Sequence, residues 1–265
     1  MQLALLDKII IVVGGTSGIG RSATRAFCEA GAKLVVIGLD AADCEETETE
    51  LAGAGLVQCA DACDSSTAAN AVSTAVERFG HLDALYHVAG GSGRRFGDGP
   101  LHEITDDGWK HTLDLNLGSV VNSNRAAVRQ FLEQGTGGAI LNLASVLAFS
   151  PSPAHFATHA YAAAKSGIVG LSKSIAAHYA PNDIRVNVLA PGLVDTPMAR
   201  RAASDPVIQK FIRTKQPLNG GRMGVPSDLD GAAVFLLSDS ARFCTGQVLA
   251  VDGGWSLSDG QVTTE

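Results

Sequence analysis

The sequence contains no run of five basic residues, and acids outnumber bases by 27 to 20 for a net charge of −7. That argues against nucleic acid as a partner, because binding it requires phosphates to be neutralised by clustered Lys and Arg. No apolar stretch approaches the ~20 residues of a membrane-spanning helix. The opening MQLALLDKIIIVVGG lacks the charged start and small-residue cleavage site of a leader. The five cysteines, Cys28, Cys44, Cys59, Cys63 and Cys244, show no metal-type spacing. Reduced structural thiols, no metal and a cytoplasmic location are therefore expected. Linkers, low-complexity tracts and breaks in composition are also missing, so residues 1–265 are expected to form one domain.

What is present is an alternation of two kinds of segment. Apolar runs such as IIIVV (9–13) and LVVI (34–37) are hydrophobic at every position rather than at every second one. Strands buried on both faces by helices have this character. Further strands are expected at 56–60, 82–88, 138–144, 184–190 and 247–251. Helices are expected at 18–29, through ADCEETETELA, at 66–80, near 106–133, at 160–179 and at 226–237. The alternation predicts an α/β fold: a doubly wound parallel sheet of about seven strands with helices on both faces, in three layers.

The turn after the first strand reads VGGTSGIGRS, with Gly14, Gly18 and Gly20 opening a helix directly behind a buried strand. Glycines there let the backbone approach a pyrophosphate, and the helix N-terminus supplies unpaired N–H groups. In AYAAAKSG, Tyr161 and Lys165 stand one helical turn apart. A free tyrosine titrates near pH ~10, and bringing it to neutrality takes about 4 kcal/mol of preferential phenolate stabilisation. A unit charge about 4 Å away at intermediate dielectric supplies that much. The pair is equally readable as a packing face with a snorkelling lysine.

Taken in order, the motifs resemble those of the short-chain dehydrogenase/reductase family, in its compact Rossmann-type form. They are GGTSGIG at 14–20, DACD at 61–64, VAG at 88–90, Asn116 in LDLNLGS and Ser145 in NLASV. Tyr161 and Lys165 follow, then RVNVLAPGLVDTPM and TGQVLAVDGGW. The likeness covers nearly the whole chain, with Val13 standing where the family motif has threonine. It implies NAD(P)-dependent hydride transfer between a secondary alcohol and a ketone, with Tyr161 as general acid/base. Ser145 would stabilise charge on the substrate oxygen, Lys165 would hold the nicotinamide ribose, and Asn116 would position a relay water.

For the cofactor the resemblance implies that Gly14, Thr16, Ser17, Gly18, Ile19 and Gly20 hold the pyrophosphate. Asp61 and Ala62 would bind the adenine, with Ala89 and Gly90 lining the crevice. Pro191 and Gly192 make a turn, and Val194 and Thr196 would meet the carboxamide. Neither the acid nor the arginine that usually separates NAD from NADP stands at Gly38 or Leu39. Asp40 is the nearest carboxylate, so NAD is favoured over NADP.

Ser145 lies sixteen positions before Tyr161, a longer gap than the family's, which places a short insertion in FSPSPAHFATHA. His155 and His159 there, and Arg94 and Arg95 in the glycine-rich GGSGRRFGDGP, are candidate contacts to a polar small-molecule substrate. His87, where the family has asparagine, reads as structural. Residues 194–225 form the expected substrate flap. A homotetramer is expected, in which the small-residue-rich helix at 160–179 allows close helix approach. The alternatives are a silent dinucleotide-sensing or scaffold protein, which would lack one of the four polar residues, and an NAD-dependent epimerase or dehydratase, which usually carries a larger C-terminal region.

Overall fold

The protein is described by a computed structural model over residues 4–260. The expected domain range of 1–265 thus extends beyond the described residues at both ends.

Seven parallel strands form the sheet: β1 (Ile9–Val13), β2 (Lys33–Gly38), β3 (Gly55–Cys59), β4 (Ala84–His87), β5 (Gly138–Leu143), β6 (Ile184–Pro191) and β7 (Val248–Val251). Their spatial order is β3-β2-β1-β4-β5-β6-β7. The chain therefore reverses direction across the sheet between β1 and β4. Loops leaving the carboxyl ends of these two strands diverge there and open a crevice.

The helices are α1 (Gly18–Glu29), α2 (Ala41–Leu51), α3 (Ser65–Phe79), α4 (Asp106–Leu113), α5 (Ser119–Gln134), α6 (His159–Tyr179), α7 (Arg200–Ser204), α8 (Pro206–Lys215) and α9 (Asp230–Leu237). Strand residues divide by parity between two cores. Ile10, Val12, Leu34 and Val36 pack with Ile19, Ala23 and Phe27 of α1 and with Ala233 and Leu236 of α9. Ile9, Ile11, Val13 and Val35 pack with Ala71 and Ala75 of α3, Ala127 and Phe131 of α5, and Ala176 of α6. Uniformly apolar strands follow directly from this double coverage.

Three expectations change in detail. The helix expected near 106–133 is interrupted by one wide turn of π type, Asp114–Gly118, between α4 and α5. Its cause is Asn116, which is fully buried and turned inward to bond the loop after β4. The expected flap at 194–225 contains α7 and α8. A separate apolar cluster of Ala202, Ile208 and Ile212 packs them against Val146 and Trp255. The helix expected at 226–237 begins as a tight turn at Pro226–Asp228, where the Asp228 carboxylate accepts from Val225 N at 2.7 Å. Among the described residues no helix is long and apolar enough to cross a membrane.

Candidate active site

The floor of the crevice is the β1–α1 turn. Gly14 has φ +81°, and a Cβ there would lie 2.7 Å from the Ala89 nitrogen. A side chain at Gly20 would strike the Gly14 carbonyl. Only glycine lets the turn close this tightly against the end of β4. Helix α1 then begins at Gly18 with Ser17 as its cap, but the Ser17 side chain makes no capping bond and the first turn carries no acid. Its amide groups and positive dipole end are left for an anion. Thr196 meets this turn from the flap: its methyl carbon is 3.2 Å from where a Gly18 Cβ would be.

Thr16 is buried and fills the space above Gly38, where a Cβ would collide with it and lie 2.8 Å from Cys44 Sγ. No side chain fits at 38, which explains why the carboxylate at the end of β2 is displaced to Asp40. Asp40 is exposed and caps α2, one oxygen accepting from Ala42 N at 3.0 Å and Asp43 N at 3.1 Å. Its other oxygen has no partner among the described residues. Asp61, also exposed, similarly uses one oxygen, which accepts from Cys63 N at 2.8 Å. Ala62 follows it at the same rim.

On the far side of the crevice, Pro191 ends β6, and the Gly192–Val194 backbone is held by Gln216. That buried side chain accepts from Leu193 N at 2.5 Å and donates to Leu193 O at 3.2 Å. Val194 forms an isolated bridge to Gly224 through its neighbours' amides, so its own N–H has no partner among the described residues. An unsatisfied amide on a buried residue suits a polar ligand such as a carboxamide. Together with the glycine turn and the open N-terminus of α1, this makes the residues present fit NAD(P).

The reactive groups gather beyond this cradle. Ser145 follows β5 and is buried, its Oγ fixed by accepting from Leu147 N at 3.2 Å. Lys165 is buried on α6 and donates to Leu143 O at 2.9 Å, with Nζ 5.5 Å from the centre of the Tyr161 ring. Burial lowers its pKa to about 8. A Cβ on Gly90 would lie 3.3 Å from Lys165 Nζ and 2.7 Å from Asn116 Oδ1. Both Asn116 amide hydrogens are used: it donates to Gly91 O at 3.0 Å and Thr112 O at 2.9 Å, and its oxygen accepts from Gly91 N at 3.1 Å.

The surroundings of the phenol act on it in two directions. Burial pushes the Tyr161 hydroxyl up to about 12, while the Ser145 hydroxyl beside it pulls in the opposite direction. Desolvation penalises the phenolate, while Lys165, with one N–H on the Leu143 carbonyl, keeps its charge and two further donors.

Asp98 escaped sequence reasoning. Buried in the loop after β4, it accepts from Ala160 N and Tyr161 N, both at 3.0 Å. Its only signal is an acid among glycines in GDGP, which resembles any turn. His87 is enclosed by Ser123 Oγ at 2.7 Å, Ser119 Oγ at 3.2 Å and Ala89 O at 3.2 Å from its ring nitrogens. Burial lowers its pKa to about 3, so it is neutral. Arg94 is joined to the insertion loop at His155 O, whereas the exposed Arg95 side chain makes no polar contact among the described residues. Those residues include no group of His, Cys, Asp and Glu able to hold a metal.

A dinucleotide cradle ending in a phenol, a hydroxyl and an ammonium defines a class, the nicotinamide-dependent oxidoreductases of alcohols and ketones. Comparison with known proteins agrees. The family model described as enoyl-(acyl carrier protein) reductase matches residues 13–256. The 3beta-hydroxysteroid dehydrogenase 2 of Eggerthella lenta is 35% identical over 257 residues, 95% of this chain and 96% of that one. The 2-dehydro-3-deoxy-D-gluconate 5-dehydrogenase of Dickeya dadantii is 34% identical, covering 95% and 96%. A solved short-chain type dehydrogenase/reductase from Mycobacterium ulcerans superposes with TM-score 0.89 at 30% identity, over 96% of this chain and 92% of that one. The chain belongs to the short-chain dehydrogenase/reductase family and is an NAD(P)-dependent oxidoreductase.

Proposed function

We propose that Tyr161 carries the proton in the interconversion of a secondary alcohol and a ketone, and that residues 1–265 act as one cofactor-binding and catalytic domain. The observation that carries this reading is the packing of the Tyr161 phenol between the Ser145 hydroxyl and the Lys165 ammonium. Bound NAD(P) supplies the carbon that gives or takes hydride and, when oxidised, a positive charge that favours phenolate.

The chain's own groups divide the remaining work. In oxidation Tyr161 accepts the hydroxyl proton, and in reduction it returns it. Ser145 donates to the substrate oxygen as charge builds there. Lys165 holds the ribose and adds positive charge beside the phenol. Both Asn116 amide hydrogens are spent on Gly91 and Thr112, so Asn116 serves the relay water through its main chain and ties α4–α5 to the crevice.

NAD is the favoured cofactor. Asp40 offers a free carboxylate oxygen at the end of β2, and the nearest cations on α1 are engaged: Arg21 with Glu46 and Glu50, and Arg25 with Glu50. A ribose hydroxyl can donate to that oxygen, whereas a 2′-phosphate would be repelled. We further propose a cytoplasmic homotetramer acting on a polar small molecule. The exposed Val121 and Leu132 of α5 and the open, side-chain-free surface at Gly170 of α6 support close packing between copies. The relatives named above are called after a hydroxysteroid and a sugar acid; the arginines at this crevice favour the polar kind. The test is to assay an alcohol panel with NAD and with NADP, alongside Tyr161→Phe. Undiminished turnover in that variant would remove the proton-transfer role.

A further inference from the structure

Three loops leaving the carboxyl ends of β4, β5 and β6 converge on one backbone oxygen. Arg94 donates to His155 O at 3.5 Å, and Arg201, at the start of α7, donates to the same oxygen at 3.3 Å. Two guanidinium groups are thereby held side by side. Among the described residues neither forms an ion pair. The acid that acts on Arg94 is Asp98, whose two oxygens are taken by Ala160 N and Tyr161 N.

Like charges repel, and a single peptide oxygen cannot satisfy two forks with five donors each. Both side chains are open to solvent, so a ligand can reach them, and partial burial together with the charge of Arg201 lowers the Arg94 pKa. An oxyanion placed between the two would accept from both at once. The two cations less Asp98 leave an excess of one positive charge, which matches a monoanionic carboxylate and falls short of a phosphate dianion. The surroundings are fixed: the Arg201 guanidinium lies 6.0 Å from the centre of the Phe156 ring, and the His155 ring packs on Phe211 at 4.8 Å.

We propose that Arg94 and Arg201 form a carboxylate-binding subsite of the substrate crevice, so that the secondary alcohol or ketone this enzyme takes carries a carboxylate group. The inference rests on the reading above of Tyr161 acting on that alcohol, since both arginines meet at His155, in the connection that runs from Ser145 to Tyr161.

The test uses matched pairs of hydroxycycloalkane carboxylates and their primary carboxamides, assayed by reduction of NAD. Support is a wild-type preference for the acid of about tenfold or more in kcat/KM, falling towards one in R94Q/R201Q. Equal use of acid and amide by the wild type, or a preference that survives in the double variant, overturns the proposal. A wild type that oxidises no member of either series speaks against these rings as substrates and not against the subsite. The subsite is then read by calorimetric titration with cyclohexanecarboxylate and cyclohexanecarboxamide. Carboxylate-selective binding that is lost in R94Q/R201Q sustains it, and binding without that selectivity sinks it.

Discussion

The Asp98 carboxylate and the Tyr161 backbone are joined across 63 positions of sequence, one oxygen accepting from Tyr161 N and the other from Ala160 N, both at 3.0 Å. The cap residue of α6, Thr158, makes no side-chain capping bond of its own. A loop from one side of the crevice thus sets the start of the helix that carries Tyr161 and Lys165. Asp98→Ala should cost about 1 kcal/mol of stability, the usual worth of a helix cap. It should also lower kcat more than it raises KM, because the phenol loses its placement while the cofactor cradle is untouched. Urea unfolding and steady-state kinetics check the two effects, and Asp98→Asn should restore part of both.

Tyr161→Phe removes only an oxygen from a ring whose packing is otherwise unchanged. Turnover should fall by about 10²–10⁴-fold, the range of a lost general acid/base. Cofactor binding, followed by quenching of protein fluorescence, should persist.

Lys165 makes stability depend on pH. Its pKa is about 8 in the folded protein against 10.5 as the ordinary value. Between these values the unfolded chain binds more protons, so this group's contribution to stability rises with pH across the window. Below about pH 8 the full penalty for burying the ammonium is present. The difference in unfolding free energy between wild type and Lys165→Met should therefore shift in favour of wild type by up to about 3 kcal/mol from pH 7.5 to pH 10.5. Denaturant titrations of both proteins over that range measure it, and a difference that stays flat would contradict the depressed pKa.

Asp40→Ser keeps a capping oxygen for α2 while removing the charge at the end of β2. The ratio of kcat/KM for NAD to that for NADP should fall by about tenfold or more, mainly through KM for the two cofactors. A ratio unchanged from wild type would show that Asp40 serves α2 alone.

The sequence by itself determined the sheet and its cofactor turn. IIIVV and LVVI are apolar at every position, which only strands covered on both faces tolerate, and the glycine spacing of the turn is written in one short stretch, although Gly14 and Gly18 are also held free of side chains by Ala89 and Thr196 from elsewhere in the chain. Tyr161 and Lys165 were legible for the same reason, since one helical turn fixes their spacing. Tertiary structure alone decided what depends on distant partners. The bond from Asp98 to α6, the wide turn that Asn116 makes to reach Gly91, and the grip of Gln216 on Leu193 join residues far apart in the chain, where local periodicity carries no signal. The surroundings of the Tyr161 hydroxyl belong with these, since the burial that raises its pKa and the Ser145 hydroxyl that lowers it come from separate elements.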